Sequence, residues 1–97
     1  LNLYDAFPPE TGESFTTLLE YKNVKIIRIV SSDTPDQKEY CQEEDEWVVV
    51  LEGSALLEVK GEPRSLTRGE SLFLPAGTPH RVLETAPGTL WLAVHIF

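Results

Sequence analysis

Glu46, Gln42 and His80 are the residues whose types and spacing could do chemistry in this chain. Glu46 lies within YCQEEDEWVVVLEG, residues 40–53, at the point where an acidic run gives way to an apolar one. A carboxylate directed into an apolar interior costs on the order of several kcal/mol unless it is paired or binds a cation. Side chains alternate faces along a strand. One unbroken strand from 40 to 52 would therefore put Tyr40, Gln42, Glu44, Glu46, Val48, Val50 and Glu52 on one face, and Trp47, Val49 and Leu51 on the other. His80 opens a second stretch in which His80, Val82 and Glu84 share a face. Imidazole nitrogen, carboxylate oxygen and amide oxygen suit a borderline divalent ion such as Mn²⁺, Fe²⁺, Ni²⁺ or Zn²⁺. A site with only these protein ligands leaves positions for water or substrate, which is what a metal enzyme needs. Glu84 and Tyr40 are the candidates for moving protons there.

The same residues have a structural reading. Glu46 can be the solvated end of its strand, in line with Glu43, Glu44 and Asp45, and His80 can cap a turn by bonding a backbone carbonyl. Spacing alone does not bring the three together. His95 sits in the last apolar stretch with Trp91, Ala93 and Phe97 on its face, as an inward ligand or base or as a satisfied core histidine. Cys41 is the single cysteine, so no internal disulfide forms. It reads as a thiol with no role.

The elements that must position these residues are strands. SFTTLLE at 14–20 and NVKIIRIVSS at 23–32 are extended, the second rich in β-branched residues. EWVVVLEG and SALLEVKG follow, with Glu52-Gly53 as a tight-turn signal between them. Pro63 and Gly69 flank a short extended piece. SLFLPAGTPHRVLE gives strand, turn, strand, and TLWLAVHIF at 89–97 closes the chain as a strand. No segment sustains apolar residues at helical spacing, and one helical turn near 3–7 or 14–20 is the most that is expected. Both faces of the 47–51 stretch are apolar, so that strand is expected to be covered on both sides. Trp47 opposes Glu46 and is expected to point outward, with Phe73, toward an interface.

The chain has 97 residues, 16 acidic and 8 basic, for a net charge of −8. That length gives one domain. No basic run offers a footprint for nucleic acid or an anionic membrane. The opening LNLYDAFPPETGES carries no basic leader, and no run approaches the ~20 apolar residues of a transmembrane helix. A cytoplasmic protein is the expectation.

Two stretches resemble signatures of the cupin superfamily. GESLFLPAGTPHRVLE follows the later one, a glycine, five residues, P-x-G, two residues, histidine, three residues, asparagine, with Glu84 in the final place. Glu46, six residues and Gly53 fit the second part of the earlier one, whose first part is H-x-H three or four residues upstream of the glutamate. With the shorter spacing those histidine positions fall on Tyr40 and Gln42, and with the longer on Glu39 and Cys41. The shorter is preferred, because it keeps all three positions on one strand face. The resemblance implies an all-β fold, the double-stranded β-helix or jelly-roll cupin barrel. The whole chain, 1–97, would be one such domain, with 1–19 as lead-in and edge strand and 20–97 as the conserved barrel. It also implies a metal held by two histidines, a glutamate and a final histidine. This chain keeps the last two, as Glu46 and His80, with Gln42 as a third ligand.

The leading functional expectation is a small protein that binds one divalent metal ion and a small polar ligand, with a metal-dependent reaction as a further step. The rivals are a metal-free binding or sensing module, in which Glu46 pairs with His80, and a structural dimeric protein. A homodimer is expected, since so small a domain has a thin core and twofold pairs are the commonest oligomers.

Overall fold

Alternating apolar residues and frequent Gly and Pro produce eight antiparallel strands and no helix in the computed structural model, which describes all 97 residues. The strands are β1 (Glu13–Tyr21), β2 (Val24–Ser31), β3 (Asp45–Glu52), β4 (Ser54–Val59), β5 (Glu62–Thr67), β6 (Ser71–Leu74), β7 (His80–Thr85) and β8 (Thr89–Ile96). Residues 14–20 are strand, and no helical turn replaces them.

The strands form two sheets, a five-stranded one in the order β1-β2-β8-β3-β6 and a three-stranded one in the order β5-β4-β7. The closed jelly-roll cupin barrel expected from the sequence is therefore corrected to two open sheets. No ladder joins them: β1 and β6 end the larger sheet, β5 and β7 the smaller. The reason is local. β6 is only 4 residues long, and the chain leaves it through the Pro75–Pro79 turn, so its pairing stops with β3.

Burial follows the period of two. In β3, Glu46, Val48 and Val50 are buried, while Val49 and Leu51 are half-buried and Trp47 is 38% exposed. Between the sheets, Val48, Val50, Leu74, Trp91 and Ala93 of the larger meet Ala55, Leu57 and Leu66 of the smaller. Trp91 also donates from Nε1 to Ser31 Oγ at 3.0 Å, which satisfies its one polar atom. The outer face of β3 is not covered to the same degree. Trp47 and Phe73 are direct cross-strand neighbours there, and Phe73 is 55% exposed.

β8 is the spine of the larger sheet. It pairs with β2 on one side and β3 on the other, and its β3 register sets His95 directly opposite Glu46. The β3–β4 connection is tight because Gly53 adopts φ +93°, and a Cβ there would lie 2.8 Å from Thr89 Cα. Gly61 has φ +78° with open space around it.

These two glycines give a paired prediction. Gly53→Ala is expected to cost about 3 kcal/mol, from left-handed backbone plus a collision with β8. Gly61→Ala should cost about 1 kcal/mol, from backbone alone. Urea unfolding of both variants measures the difference, and equal losses would show that the Gly53–Thr89 approach relaxes freely.

Candidate functional site

The site is assembled by main-chain bonds between two segments far apart in sequence. Tyr40 and His80 exchange a bridge, with Tyr40 N donating to His80 O at 2.7 Å and His80 N donating to Tyr40 O at 2.9 Å. Gly77 N donates to Gln42 O at 2.8 Å, and Ala76 N donates to Asp45 Oδ1 at 2.8 Å. The Pro75–Pro79 turn is thus fastened to residues 40–45. The phenol of Tyr40 stacks on the His80 imidazole, with ring centres 5.8 Å apart and planes inclined by 23°.

Glu46 is 7% exposed and lies between two imidazoles. His80 Nε2 is 3.9 Å from its Oε1, and His95 Nε2 is 3.6 Å from its Oε2. Both rings are anchored on their far side. His80 Nδ1 bonds Thr78 O at 2.9 Å, and His95 Nδ1 bonds Glu44 Oε2 at 3.0 Å. A carbonyl oxygen only accepts, and so does a carboxylate, so each Nδ1 carries the proton. In a neutral ring Nε2 then offers a lone pair, and both lone pairs face Glu46. Burial pushes Glu46 above its ordinary value of 4.5; His95 and then His80 pull it back, and Glu44 pushes it further up.

These groups form the floor of a cavity of about 180 Å³. Of its 14 lining residues 9 are hydrophobic, among them Phe15, Ile29, Leu74 and Trp91, so a polar floor stands under apolar walls. Tyr40 and Gln42 line it as well. Burial raises the Tyr40 phenol, with Asp36, Glu13 and Glu46 adding to the shift. Glu13 also lines the cavity. Burial raises its carboxyl, opposed by the bond from Asp36 N.

The structure thus brings Tyr40, Gln42, Glu46 and His80 together. Glu84 does not join them. The β4–β7 register shifts between Leu56 and Leu57, so that Leu56 pairs with Glu84 and Leu57 with Val82. That bulge leaves Val82 on the cavity and turns Glu84 to a separate, exposed groove with Asp33 and Ser65. Cys41 and Glu39 are exposed, which agrees with the shorter signature spacing. His95 is the inward residue that spacing did not rank. Its only sequence signal is a titratable ring in an otherwise apolar strand, and the β3–β8 register is needed to give it a partner.

The metal centre expected at Gln42, Glu46 and His80, for Mn²⁺, Fe²⁺, Ni²⁺ or Zn²⁺, is corrected. No three His, Cys, Asp or Glu side chains are grouped so as to hold a metal ion. The signature's two histidine positions carry a phenol stacked on His80 and an amide. The two imidazole Nε2 atoms each lean on a different oxygen of Glu46. No step is routed through an ion.

Over residues 32–95 the chain matches the family described as Cupin domain. A protein of Ralstonia eutropha JMP134, provisionally named a mannose-6-phosphate isomerase, is similar at 41% identity and a TM-score of 0.86, over 98% of this chain and 94% of that one. A conserved Streptococcus pyogenes protein of unknown function has 20% identity and a TM-score of 0.85, over 99% of this chain and 84% of that one. KdgF from Halomonas sp. has 19% identity and a TM-score of 0.81, over 88% and 78%. The last two are likenesses of fold. No curated protein sequence matches the chain.

The Glu46 shift sets a sign. Its folded value lies above the unfolded one, so protonated Glu46 favours the fold below about pH 4.5, and that contribution is lost as pH rises through the raised value. Glu46→Gln, which cannot ionise, is expected to lose less stability than the native chain between about pH 4.5 and pH 8. Denaturant unfolding across that range measures it. A steeper loss in the variant would reverse the assignment.

Proposed function

This chain belongs to the cupin domain family, and on that premise we propose that it is a metal-independent binding module for one small molecule with an apolar body and a polar end. The observation that carries the reading is the buried Glu46, bracketed by two imidazoles, at the floor of a mostly apolar cavity. Apolar walls supply contact area, and a few convergent polar groups fix orientation. The anchored Nδ1 atoms keep both rings pointed at the ligand's polar end without further reorganisation.

The name of the Ralstonia relative suggests a sugar phosphate. The cavity of this chain is lined by Glu13 and Glu46 and by no Lys or Arg. A phosphate there would be desolvated against carboxylates with no counter-charge, so this ligand class is disfavoured.

A screen of small ring compounds in EDTA, followed by NMR of the His80, His95 and Trp91 side chains, tests the reading. At least one uncharged or cationic compound is expected to shift those resonances and raise the Tm, with the same affinity before and after chelation. Mannose 6-phosphate is expected to shift none. Binding that chelation abolishes, or binding of mannose 6-phosphate to these residues, would overturn the proposal.

A further inference from the structure

The floor of the cavity presents acceptors and almost no donors. Thr78 O and Glu44 hold the Nδ1 protons of His80 and His95 on the far side of each ring. What faces inward is the Glu46 carboxylate and two Nε2 positions. Trp91 lines the cavity too, but its N–H is committed to Ser31 Oγ. Among the lining side chains only the Tyr40 hydroxyl and the Gln42 amide retain protons to donate.

Glu13 adds an independent observation at the wall. Its Oε1 accepts from Asp36 N at 3.3 Å. Its Oε2 is buried and makes no close hydrogen bond, and the Ser31 hydroxyl on the paired strand is the one side-chain donor that acts on it. A buried carboxylate oxygen with its bonds incompletely made is costly, and such an oxygen marks where an outside donor is wanted. Three aromatic rings, Phe15, Tyr40 and Trp91, line the same space.

From this arrangement of acceptors, an under-bonded carboxylate oxygen and aromatic walls we infer that the cavity receives an organic ammonium ion: a protonated primary amine on a small apolar body. The inference rests on the binding reading above and names the ligand's chemical class. An ammonium group has three donors, no acceptor and a positive charge, so it complements a floor of acceptors between two carboxylates. Aromatic faces attract a cation and also pack its hydrocarbon part. The volume, about 180 Å³, holds a single ring or a short branched chain rather than a drug-sized molecule.

The test uses the native full chain in EDTA and a matched series of probes: benzylamine, benzyl alcohol and benzoate. These share a ring and differ in the charge of the polar end. Titration calorimetry gives affinities, and NMR of Trp91, His80 and His95 reports the place of binding. Benzylamine is expected to bind about tenfold or more tighter than benzyl alcohol, and benzoate not at all. Glu13→Gln, at a partly exposed strand start, should weaken benzylamine several-fold and leave benzyl alcohol unchanged. Equal or tighter binding of benzyl alcohol or benzoate at the cavity residues overturns the ammonium assignment and leaves the binding module standing. An unchanged benzylamine affinity in Glu13→Gln overturns it as well. No shift of any cavity residue by any of the three probes overturns the binding module together with it.

Discussion

Glu46 is a buried carboxylate that two imidazoles must accompany, and the arrangement of the molecule around it follows from that requirement. The β3–β8 register sets His95 opposite Glu46 within one sheet. His80 arrives from β7 of the other sheet, so the contact also joins the two layers. Because side chains alternate, a slip of one residue between β3 and β8 would leave the two groups on opposite faces. Removing either ring would leave the carboxylate with one neighbour in a space where water is scarce, which is the costly state for a buried charge.

His80 reaches that position because the Pro75–Pro79 turn is tied down. The Tyr40–His80 bridge and the bonds from Gly77 N to Gln42 O and from Ala76 N to Asp45 fasten it to the segment before β3. The same bonds bring the Tyr40 ring onto the imidazole. A site built on strand ends and bonded turns is better ordered than one on free loops. The apolar contribution comes from the layer beneath, where Val48, Leu57, Leu74 and Trp91 are both core and cavity wall. Stability and recognition therefore share side chains here.

The strands of the second half were legible because Gly or Pro recurs between their apolar runs, and because alternation in β3 assigns Glu46 inward and Trp47 outward without reference to any partner. The Pro-x-Gly-x-x-His stretch located His80 for the same reason: its turn chemistry is local. What depended on register was not legible. His95 needs the β3–β8 alignment to acquire meaning. Glu84 was assigned to the face of His80 by strict alternation, and the shift between Leu56 and Leu57 breaks that alternation. The closed barrel failed where sequence pattern carries no information about how far a ladder extends, at the short β6. The positions preceding Glu46 supply a phenol and an amide where the signature's metal centre uses imidazoles.

The orientation of the two imidazoles is the point on which the account turns, and ¹⁵N NMR of the histidine side chains in EDTA measures it most directly. The account predicts that His80 and His95 both keep a proton on Nδ1, and that Glu46→Gln perturbs Nε2 of both rings. A neutral His80 or His95 protonated on Nε2 alone would contradict it, because the ring could then neither bond Thr78 O or Glu44 as described nor offer an acceptor to the cavity.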